Sequence, residues 1–428
     1  MSTIDLVIKG GQLPDGRKVD IAIAGEQIVD VSDSFAGQAS RSIDAKGCIV
    51  LPGLVDLHTH LREPGREDAE TVLSGSRAGA KGGFTALSAM ANTSPVADTA
   101  GVVEQVYRLG KHHGICDVYP IGAVTVAQGG TQLAELSAMN QSEAGVRIFS
   151  DDGHCVSDAL VMRRALEYVK TFDGIIAQHA QDPRLTQDSQ MNEGEISARL
   201  GLKGWPAVAE EAIIARDVLL AEHVDSRLHI CHVTTAGGVE IIRTAKKRGI
   251  KVTAEVTPHH LLLTDDLAES YDPVYKVNPP LRTRDDVQAL REGLADSTID
   301  IIATDHAPHP HESKDCEWSA AAFGMVGLET AFSIAYLAMV ETKLLTLTQL
   351  VDRMSKIPAQ IGRYQGHGSI SVGAGANFTL VDLDSKWKVE RLKLASKSKN
   401  TPFDGMVLPG VITKTFHNGA LVYERNSK

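Results

Sequence analysis

The sequence predicts an α/β protein in which eight parallel strands and their helices form a (β/α)8 TIM barrel, with a small β domain beside it. Three observations predict this fold: eight short apolar runs between residues 48 and 308, amphipathic segments between these runs, and a different pattern at both ends of the chain. At 428 residues, the chain exceeds what a single hydrophobic core usually supports. One large and one smaller domain are therefore expected.

The eight runs are apolar and often β-branched, as expected for strands that are buried on both faces of a sheet. Between them, segments such as ALVMRRALEYVK from Ala159 and AEEAIIARDVLLAEHV from Ala209 repeat apolar residues at helical spacing. No GxGxxG motif opens the first unit, which argues against a doubly wound open sheet. The runs are CIVLPGLVDLHTH from Cys48, FTALSAM from Phe84, DVYPIGAV from Asp117, VRIFS from Val146, GIIAQH from Gly174, RLHICHV from Arg227, IKVTAEV from Ile250 and IDIIATD from Ile299.

The two ends of the chain share a pattern of short alternating runs broken by Gly, Asp and Pro. The pattern covers Ile4 to Val50 and returns at Ala376 and Thr413, and it is typical of a small antiparallel sheet. We therefore expect one small β domain made of residues 1–52 and 358–428, flanking a barrel of residues 53–357.

Composition narrows the classes of function. A net charge of −11, without a stripe rich in Lys and Arg, argues against a nucleic-acid partner. No run approaches the roughly 18 apolar residues of a membrane span, and Met1 to Asp5 do not begin a signal peptide. The five cysteines are scattered and lack CxxC spacing, which favours a reducing compartment. We expect a cytoplasmic enzyme that acts on a small molecule.

Potential metal ligands stand at the ends of five predicted strands. His58 and His60 end the first strand two residues apart, so their side chains point to the same face. Such an HxH pair is as often a hydrogen-bonded structural pair as a ligand pair. Four further strands end in residues of the same chemistry. Because barrel enzymes build their active sites at the C-terminal ends of their strands, all of these groups are expected to face one opening. They are Asp151 and Asp152, His179, His232, and Asp305.

Each of these groups also has a structural interpretation. His179 or His232 alone would suit a histidine at the edge of the core, and the aspartates would suit turns or helix caps. Gathering so many ionisable groups is costly unless an ion neutralises them. Four His and two Asp exceed the three protein ligands of a mononuclear zinc site, which predicts two metals and a bridging carboxylate. Nitrogen-rich ligation favours zinc, with cobalt or manganese as alternatives. Strand parity leaves both Asp151 and Asp152 open as the bridge.

In this order, the strand-end residues resemble those of the amidohydrolase superfamily, and longer motifs resemble the longer type of bacterial dihydroorotase. The resemblance extends over nearly the whole chain. The motifs are DLHTHLREPG from Asp56, AMANTSPVADT from Ala89, FSDDG from Phe149, TAEVTPHHLLLTD from Thr253, KVNPPLR from Lys276, IDIIATDHAPH from Ile299 and AFGMVGLET from Ala322.

The resemblance implies reversible hydrolysis of dihydroorotate to N-carbamoyl-L-aspartate in pyrimidine biosynthesis, through attack of a metal-bridged hydroxide on the ring amide. It implies two Zn²⁺ ions and assigns the bridge to Asp152, with Asp305 as a ligand that is also the general base and acid. His58 and His60 would bind one metal, and His179 and His232 the second. The substrate would contact His60, Arg62 and Asn92 near its carboxylate, and Asn278, His309 and the backbone of Phe323 and Gly324 around its ring.

Two positions distinguish this chain from its wider relatives. Hydantoinases and allantoinases typically carry a carboxylated lysine at the end of the fourth strand, whereas residues 146–153 contain Arg147 and no lysine. An aspartate must therefore take that place. Many family members have HCED after the fifth strand, where this chain has His179-Ala180-Gln181-Asp182, so His179 is expected to be oriented differently.

Arg62 offers a fork of donors that suits a carboxylate, although a surface salt bridge is the alternative use of such a residue. The polar segment from His309 to Phe323 is expected to be a mobile loop over the site. The resemblance also implies a homo-oligomer, a dimer, and an association with aspartate transcarbamoylase. The rival functions are another cyclic-amide hydrolase, of the hydantoinase or allantoinase kind, and an inactive barrel that only associates with aspartate transcarbamoylase.

Overall fold

The computed structural model describes residues 4–426 and places eight parallel strands in two sheets, one of three strands and one of five. Met1–Thr3, on which part of the signal-peptide prediction rests, lie outside the described residues. The eight strands match the eight predicted runs, and we number them one to eight in chain order. They are Leu54–Thr59, Phe84–Ala89, Asp117–Pro120, Ile148–Phe149, Ile175–Gln178, Arg227–Ile230, Val252–Val256 and Ile301–Ile302.

Parallel bridges join the two sheets at both edges. Gly122 bridges to Phe149, which links the third strand to the fourth, and Thr59 bridges to His306, which links the first strand to the segment after the eighth. The strands therefore follow one another around a ring in chain order. The fourth and eighth strands are shorter than predicted, with two residues each.

The predicted run from Cys48 to His60 contains two strands rather than one. Ile49–Pro52 pairs with Phe378–Lys388 in a separate sheet, and only Leu54–Thr59 belongs to the ring. Gly53 lies between them, where an added Cβ would overlap the Thr85 side chain. The chain passes from one sheet to the other at a position that has no room for a side chain.

Helices follow most of the ring strands, and side-chain caps fix where several of them begin. Thr71 accepts from the backbone of Ser74 at 3.1 Å, and Asp158 accepts from Leu160 at 2.8 Å. Within residues 4–426, no helix is both long and apolar enough to cross a membrane. The helices around the ring are Val72–Lys81, Ala100–His113, Leu136–Gln141, Ala159–Lys170, Val208–Val224, Ala236–Lys247, Arg284–Ala295 and Ala331–Ala335, followed by Leu347–Val351 and Ile357–Gly362; a further short helix, Glu195–Leu200, lies in the segment after the fifth strand.

Both ends of the chain meet in one sheet of eight strands, the terminal sheet. It was predicted to be antiparallel, but Leu6–Gln12 pairs in parallel with both Arg41–Asp44 and Ile49–Pro52, so the sheet is mixed. The terminal sheet has its own apolar core, which includes Ile8, Ile21 and Phe378. Its strands are Leu6–Gln12, Lys18–Ala24, Gln27–Ser32, Arg41–Asp44, Ile49–Pro52, Phe378–Lys388, Val407–His417 and Ala420–Glu424.

A buried carboxylate links the terminal sheet to the ring. Asp117, at the start of the third ring strand, lies 3.0 Å from Nε2 of His367 and 3.3 Å from Nε2 of His417. Burial alone would raise the pKa of Asp117, but the two histidines hold it far below its usual range. The carboxylate is therefore ionised and stabilises the contact between the two parts of the protein.

Residues 389–406, the return segment, leave the terminal sheet after Phe378–Lys388 and come back to it at Val407–His417. On the way they contact the loops that follow the first and the eighth ring strands. The backbone N–H of Lys397 donates to Glu70 at 3.0 Å, and the Ser398 hydroxyl donates to the Ala69 carbonyl at 2.7 Å. The C-terminal part of the chain thus contacts the end of the ring at which the predicted ligands lie.

Candidate metal centre

The ring brings together the six residues predicted as metal ligands. His58, His60 and Asp152 offer ligand atoms that all lie within 4.8 Å of one another, and so do Asp152, His179 and His232. Asp152 belongs to both groups. Asp305 joins the first group, because its Oδ1 lies 3.0 Å from Nε2 of His60.

The Asp152 carboxylate lies between the two histidine pairs. Its Oδ1 is 3.4 Å from Nε2 of His58, 3.3 Å from Nδ1 of His179 and 3.2 Å from Nε2 of His232. Its Oδ2 is 3.3 Å from Nε2 of His60. The carboxylate thus has an oxygen close to the pair His58 and His60 and an oxygen close to the pair His179 and His232, as a bridging ligand requires.

Asp151, the alternative bridge, lies apart from both groups and makes a structural network. Its Oδ1 accepts from the backbone N–H groups of Val124 at 2.8 Å and Thr125 at 3.0 Å. Its Oδ2 accepts from the Thr125 hydroxyl. Both oxygens are thus occupied by the loop after the third ring strand.

The donor set suits bound cations. Nε2 of His58 is buried and has no hydrogen-bond partner within residues 4–426. Burial alone would lower the pKa of His58, but Asp152 and Glu255 raise it well above 6.5. Burial alone would raise the pKa of Asp152, but the surrounding histidines, His58 first, hold it well below its usual range. Carboxylates that need nearby positive charge, in a buried site lined by imidazoles, form the environment of a metal centre.

Two of the six residues have unusual backbone conformations. The φ angle is 29° at His232 and 46° at Asp305, values that residues with a side chain seldom adopt. Such strain persists only where the surrounding structure enforces it, and it concentrates at functional sites.

Glu255 supports the centre and was not predicted. Its Oε1 accepts from Nδ1 of His58 at 2.5 Å, and its Oε2 accepts from Nε2 of His229 at 3.0 Å. The first bond fixes the proton of His58 on Nδ1, which leaves Nε2 free to bind a metal. The signal in the sequence was a lone acid within the apolar run IKVTAEV.

His58 and Glu255 also form a potential ligand group with Cys231. Burial raises the pKa of the Cys231 thiol and keeps it protonated. Because a thiol binds a metal as the thiolate, this group is better described as a hydrogen-bond network.

Two amides orient further histidines. Oδ1 of Asn92 accepts from Nδ1 of His60 at 2.9 Å, which leaves Nε2 of that ring directed at the carboxylates. Oε1 of Gln181 accepts from Nε2 of His179 at 2.7 Å and from Nδ2 of Asn278 at 3.3 Å. Gln181 thus orients His179 with its Nδ1 toward Asp152, and it connects that ring to a predicted substrate residue.

Arg62 is 5% exposed, so a surface salt bridge does not describe it. Its Nε donates to the Pro308 carbonyl at 3.1 Å, and no carboxylate within residues 4–426 pairs with it. Burial lowers the pKa of Arg62 to about 10, so it remains charged at neutral pH. A buried cation beside the predicted metal ligands is available to an anionic group of a bound small molecule.

His309, Phe323 and Gly324 lie together next to this cation. Nε2 of His309 donates to the Phe323 carbonyl at 2.7 Å, and its Nδ1 is buried without a partner within residues 4–426. Burial, together with Arg62, lowers the pKa of His309 to about 3, so the ring is neutral and Nδ1 is an acceptor. At Gly324, φ is +145° and an added Cβ would lie 2.7 Å from Nε2 of His309, so only glycine fits.

The segment from His309 to Phe323, expected to be a mobile loop, is hydrogen-bonded to a neighbouring loop. Nζ of Lys314 donates to the carbonyls of Lys276 at 3.0 Å and Ala322 at 2.8 Å. The backbone N–H of Gly324 donates to the same Lys276 carbonyl at 3.0 Å. These bonds tie the segment to the loop that carries Asn278.

A ring of parallel strands with His and Asp side chains gathered at the strand ends is the arrangement of a metal-dependent hydrolase. The family model described as "Dihydro-orotase-like" matches residues 47–237. The chain is 63% identical over 414 residues to the dihydroorotase of Streptomyces coelicolor, covering 96% of this chain and 97% of that protein. It is 51% identical over 407 residues to the dihydroorotase of Mycobacterium tuberculosis, covering 95% of each chain. The chain belongs to the dihydroorotase family, a family of cyclic-amide hydrolases.

Solved structures with the same fold bear other names. The L-hydantoinase (dihydropyrimidinase) of Arthrobacter aurescens superposes with a TM-score of 0.89 at 28% identity, covering 99% of this chain and 97% of that one. The dihydropyrimidinase of Brevibacillus agri superposes with a TM-score of 0.83 at 22% identity, covering 98% and 95%. Because related folds carry different names, the choice between substrates depends on individual residues of the site.

Proposed function

We propose that this protein is a zinc-dependent dihydroorotase on a complete (β/α)8 barrel, reversibly hydrolysing dihydroorotate to N-carbamoyl-L-aspartate in pyrimidine biosynthesis. The observation that carries the substrate assignment is the buried guanidinium of Arg62, which lies beside the proposed metal ligands and pairs with no carboxylate of residues 4–426. Dihydroorotate has a carboxylate for this cation, whereas hydantoin and dihydropyrimidine rings are uncharged there. After the fourth ring strand this chain has the buried Asp152 instead of the lysine expected in hydantoinases, and the basic residue of that strand region, Arg147, is exposed. This difference supports dihydroorotate as the substrate.

Two zinc ions are proposed for the centre. His58 and His60 would hold one ion, His179 and His232 the other, with Asp152 bridging them and Asp305 as a further ligand. Bound ions supply Lewis acidity to the amide carbonyl and to the attacking water. Glu255, Asn92 and Gln181 keep the imidazoles in the tautomers that ligation needs.

Asp305 is proposed as the general base and acid. Burial alone would raise its pKa, but His58 and His60 hold the pKa at about 2, so the carboxylate is ionised at neutral pH. It accepts the proton of the attacking hydroxide and delivers that proton to the ring nitrogen as the carbon–nitrogen bond breaks. The carbonyl carbon thereby becomes the new carboxylate, and ring closure uses the same proton transfers in reverse.

The remaining predicted residues would hold the substrate. Arg62, with His60 and Asn92, is proposed to bind the substrate carboxylate through charge-assisted hydrogen bonds. Oδ1 of Asn278 and Nδ1 of His309 are buried acceptors without partners within residues 4–426. They suit the N–H groups of a cyclic amide, with the backbone of Phe323 and Gly324 alongside.

The test is the ratio of kcat/KM on dihydroorotate to kcat/KM on hydantoin. The wild-type enzyme is expected to prefer dihydroorotate, and Arg62→Gln should lower kcat/KM for that substrate by about 10- to 100-fold, the value of a charged hydrogen bond. Arg66→Gln, at an exposed position four residues on, is the matched control and should leave the ratio unchanged. A wild-type preference for the uncharged ring would overturn the assignment.

We also propose a division into the terminal domain, residues 1–52 and 358–428, and the barrel, residues 53–357, because the terminal sheet has a separate core. The five free cysteines support a cytoplasmic location.

A homodimer is proposed from exposed apolar residues on the ring helices, Leu160, Tyr168 and Leu219. Light scattering of the protein alone, and mixed with aspartate transcarbamoylase, tests the dimer and the proposed association. A chain that holds no zinc and stays inactive after zinc is added would favour the inactive-partner alternative.

A further inference from the structure

Asn400 lies in the return segment, outside the ring and outside the predicted site. Its side chain is 6% exposed and is surrounded by the backbone of two site loops. The residue comes from the C-terminal part of the chain, which otherwise forms the terminal sheet.

The Asn400 amide makes three hydrogen bonds to these loops. Its Oδ1 accepts from the backbone N–H of His309 at 3.2 Å, and its Nδ2 donates to the carbonyls of Ala307 at 3.0 Å and Gly324 at 3.2 Å. The backbone carbonyl of Asn400 accepts from Val326 at 3.1 Å. One side chain therefore connects the loop after the eighth ring strand with the segment that carries Gly324.

This connection fixes the two groups proposed to surround the substrate ring. His309 and Gly324 are joined through the Nε2 bond of His309 to Phe323 and through Asn400, and the two segments also meet where the backbone N–H of Ala307 donates to Met325 at 2.8 Å. Within residues 4–426, Asn400 makes no hydrogen bond to any of the six proposed metal ligands. Its loss should therefore displace the ring-binding groups and leave the metal centre intact.

We infer that Asn400 is a positioning residue for the ring-binding half of the substrate site, acting through His309 and Gly324; this rests on the proposed function. Only an amide meets the requirement at this position. A carboxylate of the same shape would keep the bond from His309 but would direct an oxygen, instead of two N–H donors, at two buried carbonyls.

Two variants test the inference, the isosteric Asn400→Asp and the truncated Asn400→Ala. Both are expected to raise KM for dihydroorotate by about tenfold or more, because buried carbonyls lose their donor and the loops shift. Their zinc content should equal that of the wild type, and kcat should fall much less than KM rises. The matched control is Asn377→Ala, directly before the strand Phe378–Lys388 of the terminal sheet, where the side chain is 2% exposed and donates to Gly366 at 3.0 Å.

The control is expected to lower the melting temperature without changing KM. If the Asn400 variants behave like the control, with lower stability and an unchanged KM, Asn400 is only structural and the inference is overturned.

A second readout does not depend on turnover. Hydrogen exchange of the zinc-loaded protein should accelerate at residues 307–326 in both Asn400 variants and not in the Asn377 control. A wild-type protein that does not hydrolyse dihydroorotate would refute the proposed function. Unchanged hydrogen exchange at residues 307–326 in the Asn400 variants would separately refute the role of Asn400.

Discussion

The role of Glu255 behind His58 leads to a quantitative prediction for metal affinity. In Glu255→Gln the carboxylate that accepts from His58 at 2.5 Å and from His229 at 3.0 Å becomes a neutral amide of the same shape. The two rings face different oxygens of the carboxylate, and one of these positions becomes an NH2 group, so the amide cannot accept from both rings. The bond to His58 changes from charge-assisted to neutral, or is lost.

The expected loss follows from the strengths of these bonds. A hydrogen bond to a charged group exceeds a neutral one by about 1.5 kcal/mol, which corresponds to about tenfold in affinity. This value lies at the lower end of the loss of metal affinity, roughly 10- to 100-fold, that follows when a residue hydrogen-bonded to a metal ligand is replaced. Zinc affinity of Glu255→Gln should therefore fall by about tenfold or more.

The assay is competition for zinc against a chromogenic chelator at neutral pH. Glu329→Gln is the matched control, because Glu329 is also a buried glutamate and accepts from the backbone of Ala395 at 2.7 Å and Ser396 at 3.1 Å. The control should bind zinc like the wild type. Equal zinc affinity in Glu255→Gln and Glu329→Gln would refute the assignment of His58 as a ligand held by Glu255.

Three further outcomes follow from the structure. Asp152→Ala should lose bound zinc. Asp151→Ala should keep zinc, but its free energy of unfolding should fall by about 2 kcal/mol because buried N–H groups lose their acceptor. Zinc analysis and urea unfolding distinguish the two variants, and the reverse pattern would make Asp151 the bridge. Asp117 has a depressed pKa in the folded state, so its ionised form stabilises the protein above about pH 4 and that stability is lost as the pH falls further. Asp117→Asn should thus be less stable than the wild type at pH 6, with the gap narrowing below about pH 4; a gap independent of pH would contradict this. Gly324→Ala places a Cβ 2.7 Å from Nε2 of His309. The variant should therefore have a higher KM for dihydroorotate and an unchanged zinc content. An unchanged KM would argue against a substrate contact at this position.

Much of the fold was predictable because strand runs and helical runs have distinct periods. The eight ring strands and helices such as Ala159–Lys170 lie where the sequence predicts them. The parallel pairing of Leu6–Gln12 was not predictable, since alternation identifies a strand but not its partner. The break at Gly53 was hidden because apolar residues continue on both sides of it.

The candidate site was predictable to the extent that it follows strand ends. Asp151 and Asp152 could not be distinguished from sequence, because the fourth strand ends at Phe149 and the turn after it decides which carboxylate faces the ring. Asn400, and the bond of Gln181 to Asn278, were missed because these contacts join loops that are distant in the chain. Asn400 lies in the polar run KSKNTPF, which is indistinguishable from an ordinary surface loop by composition.

The terminal sheet also has a consequence for the order of assembly during synthesis. Leu51 pairs with Thr379 and Val50 with Leu380, so the first strands to leave the ribosome acquire these neighbours only after nearly the whole chain has been made. Until then, Ile49–Pro52 has an open edge that is free to pair wrongly. The return segment follows later still and brings Asn400 to the loops. A nascent chain that stops before residue 389 therefore contains every proposed metal ligand but not the segment that holds the substrate loops in place.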